Sequence, residues 1–212
     1  MPNSLSALFD RYPSLRECEH EMSEAARALI ECFRAGNKLL VCGNGGSAAD
    51  TEHIVSELMK GFIKRRRIPE RDASRLAESA GAVGLAIGAQ LEGALPAISL
   101  VSQAALISAI SNDSSGELVF AQQAYGLGKP GDVLLAISTS GNSKNVINAL
   151  AVAKAFGLRT IVLTGRSGGA MAPMADIAIR VPAEKVPEIQ ELHLPVYHWL
   201  CIAVEAELFR DA

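Results

Sequence analysis

The chain has 212 residues, 49% apolar and 20% charged, which suits one α/β domain with a large core and excludes a disordered, fibrous or coiled-coil protein. Its formal net charge of −3 argues against a general nucleic-acid binder, which carries a basic face. Cys18, Cys32, Cys42 and Cys201 form no CxxC pair and no metal-type spacing, so they read as buried or incidental thiols in a reducing cytoplasm.

At the N-terminus, MPNSLSALFDRYPSL has no basic start, and Asp10, Arg11 and Pro13 interrupt its apolar residues, so it does not read as a signal peptide. Ser14–Ala35 carries apolar residues at helical spacing, with Ser14 as cap and Gly36 as stop. Lys38–Cys42 is a short apolar run that suits a buried parallel strand. A helix is expected over Ser47–Met59, a strand over Ala97–Val101 and a helix over Gln103–Ile110. Asp132–Ile137 is a third strand and Asn142–Phe156 a helix stopped by Gly157; Thr160–Leu163 and Ile177–Val181 are further strands. A long helix over Pro187–Phe209 closes the chain, with a kink expected at Pro195. This alternation predicts a single α/β domain: a doubly wound, mostly parallel five-stranded sheet flanked by helices, with an N-terminal helical segment over 1–36. The longest weakly polar stretch, Ala80–Leu91, is too short to span a bilayer. A soluble, cytoplasmic protein without membrane or nucleic-acid partners is expected.

The segment 63–96 fits this rhythm poorly. It holds KRRR at 64–67, a turn at Pro69 and a Gly/Ala-rich stretch ending in LEGALP. It reads as an insertion or lid. The basic run is either a solvated loop or part of an anion pocket or partner surface.

Two loops follow predicted strands at their carboxyl ends, where open α/β sheets bind ligands. The first, Cys42–Ala49, contains Asn44, Gly45, Gly46 and Ser47 and leads into a helix. It matches neither GxGxxG nor the Walker pattern, so no nucleotide cofactor is expected. The second, Ser138–Ser143, offers the hydroxyls of Ser138, Thr139, Ser140 and Ser143 beside a helix start, an anion cradle that needs no cationic side chain. Helix capping accounts for one of those hydroxyls and leaves three. His53 and Glu57 share one helix face, and Gln190 and His198 lie on one stripe of the last helix. Such a set is either an acid–base pair or two imidazoles, a carboxylate and an amide around a metal.

CGNGGSAADTEHIVSEL, AISND, ISTSGNSKNV, LTGRSGG with ADIAIRVP, and EIQELHLPVYH together resemble the phosphoheptose isomerase branch of the SIS (sugar isomerase) family. The resemblance implies an SIS domain that interconverts sedoheptulose 7-phosphate and D-glycero-D-manno-heptose 7-phosphate through an enediol. It implies that Ser138, Thr139, Ser140 and Ser143 hold the phosphate. Asn44, Gly45, Gly46, Asn112 and Asp113 would line the sugar site, joined by Ser47, Gln190 and Glu57. Glu57 and His198 would be the acid–base pair, and zinc would bind through His53, Glu57, Gln190 and His198. Glu57 cannot be both a tight ligand and a mobile base, so the base role is expected and zinc is optional. The branch also implies a homotetramer with active sites where subunits meet.

The stretch between Glu57 and Asn112 is longer than the branch pattern, which opens the alternative of another ketose phosphate. The same branch resembles non-catalytic proteins that bind the replication initiator. Those lack the C-terminal histidine that stands here as His198.

Overall fold

A computed structural model describes residues 5–210. Its strands are β1 (Leu39–Gly43), β2 (Ala97–Ser99), β3 (Val133–Ile137), β4 (Arg159–Thr164) and β5 (Ile177–Arg180). All pair in parallel, in the order β2-β1-β3-β4-β5. Every residue of β1 and β3 is buried, because alternate side chains feed two different layers. Leu39, Val41, Val133, Leu135 and Ile137 enter one core, and Leu40, Cys42, Leu134 and Ala136 enter the other.

The first core is covered by α1 (Leu5–Arg11), α2 (Glu19–Arg34), α3 (Gly46–Met59) and, last in the chain, α8 (Val186–Leu208). Between α3 and β2 runs α4 (Glu70–Gly88). The second core is covered by α5 (Ala104–Asp113), α6 (Val119–Leu127) and α7 (Lys144–Ala155). The doubly wound expectation holds, and the sheet is wholly parallel.

Several boundaries move. The helix expected from Ser14 begins as a 3₁₀ turn over Pro13–Cys18 before α2; residues 1–4 of the expected N-terminal segment lie outside the described residues. The last helix runs through Pro195 as one element, although that position has no N–H to donate. The segment 63–96 contains the helix α4, bent at Gly81, of which only Gly84 is buried. Its two arms meet in an antiparallel bridge between Arg67 and Glu92. The solvated-loop reading of the basic run fails at Arg66, which is 0% exposed. Among the described residues no helix is long and apolar enough to cross a membrane.

Candidate active site

In this strand order the chain reverses direction between β1 and β3, and the crevice beyond the carboxyl ends of those strands is where such sheets take ligands. Both sequence-predicted loops open there. Asn44, Gly45, Gly46, Ser47, Ser138, Thr139, Ser143 and Gln190 line one cavity of about 290 Å³, together with Ile137 and Val186. The first turns of α3 and α7 border it, and their leading N–H groups have no intrahelical acceptor.

The loops are tied to one another. Asn44 Nδ2 donates to Asn145 Oδ1, and Asn145 Nδ2 donates back to Asn44 Oδ1, each at 2.9 Å. The hydroxyls of Ser138 and Ser143 meet at 3.0 Å across the cradle. Gly46 lets Gln190 in: a Cβ there would collide with the Gln190 amide nitrogen. The loop after β4 buttresses the serine loop from behind, with the Gly165 N–H donating to the Thr139 carbonyl and the Met171 N–H to the Gly141 carbonyl, both at 3.0 Å. Gly141 sits at φ 65° with the Gly168–Gly169 backbone against it.

A second polar cluster lies further along the same helices. Pairs Gly46–Gln190, Asp50–Tyr197 and His53–His198 advance in step, so α3 and α8 run parallel. His53 Nε2 is 3.3 Å from Glu57 Oε1 and 3.4 Å from His198 Nε2. The Tyr197 hydroxyl donates to Asp50 Oδ1 at 3.2 Å and stands 3.1 Å from His53 Nδ1. With its proton committed to Asp50, that hydroxyl accepts from His53 Nδ1–H, and His53 turns the lone pair of Nε2 towards Glu57. Lys60 Nζ holds the other Glu57 oxygen at 3.0 Å.

Burial lowers the His198 pKa below its ordinary value and His53 lowers it further, against the opposing pull of Glu57, so the ring is held neutral. Burial raises Asp50, with Tyr197 and His53 opposing. Tyr197 is pushed up, first by burial and then by Asp50, and stays a hydroxyl.

The chain is similar to known proteins over most of its length. The SIS domain family model matches residues 10–94 and 81–165. The phosphoheptose isomerase of Akkermansia muciniphila is 34% identical over 207 residues, spanning 98% of this chain and 96% of that one. The phosphoheptose isomerase of Pelobacter propionicus is 42% identical over 188 residues, 89% and 86% of the two chains. The chain belongs to the phosphoheptose isomerase family. The structure of the phosphoheptose isomerase from Neisseria gonorrhoeae superposes with a TM-score of 0.73 at 32% identity, over 95% of this chain and 97% of that one.

Against the family pattern, most expected residues gather in two places. The cradle collects Asn44–Ser47, Ser138, Thr139, Ser143 and Gln190; the second cluster collects His53, Glu57 and His198. Ser140 faces a neighbouring cavity with Asn142 and Arg166, and its hydroxyl accepts from the Asn142 N–H. Asn112 and Asp113 bond to each other at the exposed end of α5; Ser111 is the α5 residue nearest them that lines a wall with Asn44 and Gly45. Gln190 stands eight residues before His198, about 12 Å along α8, so within one chain it stays with the cradle.

Among the described residues no three His, Cys, Asp or Glu side chains close around a common metal position. The donor chemistry of His53, Glu57 and His198 nevertheless suits zinc. His53 Nε2 lies within 3.3 Å of Glu57 and 3.4 Å of His198, so the donors are neighbours without closing on one point. Sequence reading passed over Asn145, Asp50 and Tyr197. Asp50 and Tyr197 carried a local signal, each lying one helical turn or less from a chosen histidine.

Proposed function

We propose that this protein is an aldose–ketose isomerase that interconverts sedoheptulose 7-phosphate and D-glycero-D-manno-heptose 7-phosphate. The observation that carries this reading is the meeting of Glu57 with a neutral His198 across His53, on α3 and α8, whose first turns line the anion cradle beside the serine loop. Glu57 takes the proton from C1 of the ketose and returns it to C2. His198, neutral and within the same cluster, gives a proton to the C2 oxygen and receives one from the C1 hydroxyl, so an enediol forms and collapses without net charge. Phosphate held by Ser138, Thr139, Ser143 and the helix N-termini fixes the far end of the sugar, and that remote binding energy orients the reacting carbons. Zinc stays optional in this scheme, because Glu57 cannot be a tight ligand and the mobile base at once. A bound ion would be held by His53, Glu57 and His198, with an amide such as Gln190 as fourth donor, and would supply carbonyl polarisation in place of the Glu57 base.

The protein acts as a homotetramer with its sites between subunits. Ser47 and Glu57 are ten residues apart on α3, about 15 Å, whereas an extended seven-carbon phosphate reaches roughly 9 Å from phosphorus to C2 by standard bond lengths. One sugar therefore joins the cradle of one copy to the Glu57 and His198 of another, which also brings Gln190 of one copy to the histidines of the next. Light scattering of the purified protein tests the assembly; a monomer at working concentration overturns it.

The activity is tested by following sedoheptulose 7-phosphate with the protein in D₂O by NMR. Aldoheptose phosphate with deuterium at C2 is expected. No turnover, with or without added zinc, refutes the assignment. Metal content as purified reports zinc independently of activity: close to one equivalent per chain supports the ligand set, and none removes it.

A further inference from the structure

Arg66 and Glu205 form an ion pair inside the first core, 0% and 1% exposed, with Arg66 Nε donating to Glu205 Oε1 at 2.7 Å. Burying two charges gains little stability over an apolar pair of the same size, so their value lies in what they hold. The guanidinium has two further bonds: Nη1 donates to the Leu58 carbonyl at 2.7 Å and Nη2 to the Glu57 carbonyl at 3.0 Å. Both acceptors belong to the last turn of α3, where carbonyls lack intrahelical partners and a positive charge is favoured. One of them is the peptide of the proposed base itself.

Glu205 works on the other side. It lies two turns beyond His198 on the same stripe of α8, and it accepts from the Phe62, Ile63 and Lys64 N–H groups at 2.8, 2.9 and 3.2 Å. Those bonds, with Arg66, outweigh the effect of burial and hold its carboxyl below the ordinary value. The segment so fixed lays the Phe62 ring edge-on against His198, with centroids 5.3 Å apart. The Phe209 ring closes the far side, 4.9 Å from the Arg66 guanidinium carbon.

We infer that Arg66, through Glu205, is a positioning residue that sets Glu57 against His198. It joins the backbone of the base, at the Glu57 and Leu58 carbonyls, to the helix of its partner, at the Glu205 carboxylate. The inference rests on the reading in which Glu57 and His198 carry the proton transfers.

The test uses the purified full chain and two substitutions. Arg66→Lys keeps a cation beside Glu205, but one ammonium cannot span a carboxylate and two carbonyls in the fixed fork of a guanidinium. Glu205→Gln keeps the volume and loses the charge. Both are expected to leave KM within about twofold and to lower kcat by about ten- to a hundredfold, the scale of a 1 Å misplacement, with a displaced pH profile of kcat/KM. Unchanged kcat and pH profile, with only a lower Tm, would make the pair structural and overturn the inference. If neither variant folds, amide exchange in the wild-type protein decides: Phe62, Ile63 and Lys64 are expected to exchange as slowly as α8, and loop-like exchange overturns it. A wild-type protein inert on sedoheptulose 7-phosphate defeats the functional reading instead. An active wild type beside a fully active Arg66→Lys defeats this one alone.

Discussion

His193 gives the sharpest stability prediction. It is 0% exposed in α8, neither ring nitrogen has a hydrogen-bond partner, and burial lowers its pKa from 6.5 to about 4, with the Thr164 backbone the weaker, opposing influence. Above about pH 6.5 both folded and unfolded chains carry a neutral ring, and there is no penalty. Between 6.5 and about 4 the unfolded chain takes up a proton that the folded chain refuses, so stability falls as pH falls. Below about 4 the loss is complete. At ~1.36 kcal/mol per pH unit the full drop is about 3 kcal/mol, which for a chain of this size is about 6–12 °C in Tm. Thermal melts at pH 7.5 and pH 4.5 should therefore be compared for the wild type and His193→Leu. The remaining acidic groups titrate in both proteins and cancel in the difference. The variant should lose less on acidification by most of that interval; parallel falls would refute the buried, neutral histidine.

Glu57→Gln and His198→Asn should each lower kcat by about 10²–10⁴ while leaving the far-ultraviolet spectrum and KM nearly unchanged, read in the D₂O assay; more than about a tenth of wild-type activity in both would defeat the acid–base assignment. Ser143→Ala should raise KM about ten- to a hundredfold, the value of one hydrogen bond to a charged oxygen, whereas Ser140→Ala, on the neighbouring cavity, should raise it less; the opposite order in steady-state kinetics would relocate the phosphate. Gly46→Ala should expel the Gln190 amide and weaken substrate binding with little loss of Tm. Gly141→Ala, at φ 65° with glycine backbone in contact, should cost more than about 3 kcal/mol, visible as a large fall in Tm or loss of soluble protein.

Strand and loop positions were legible because their signals are local. Lys38–Cys42 and Asp132–Ile137 are apolar runs followed at once by glycine and serine loops, and the structure sets those loops side by side at the turning point of the sheet. What escaped depends on distance along the chain. Arg66 and Glu205 are 139 residues apart and Asn44 and Asn145 are 101 apart, so nothing near Arg66 told it from its solvated neighbours in KRRR. The helix α4 escaped for another reason. Val83, Leu85 and Ile87 are exposed, so its apolar residues do not mark a core-facing stripe in this chain. α6 follows a turn at Ser115 and ends at Gly128, signals that were present and were not assembled into a helix.

The parallel run of α3 and α8 explains why the two polar clusters are separate. Both helices begin at the carboxyl edge of the sheet, so both present unpaired N–H groups there, and anion binding belongs at that end. A proton-transferring pair beside those amides would face a fixed positive field and a bound dianion together, and its carboxylate could not be tuned independently of the phosphate. Further along the helices the field of the termini has faded within a turn. There Asp50, Tyr197 and Lys60 orient His53 and Glu57, and burial keeps His198 neutral. The arrangement costs reach, since one sugar phosphate cannot touch both ends of the same helix pair. On the proposed reading a second copy restores that reach, bringing the cradle at the start of one helix pair to Glu57 and His198 of the next.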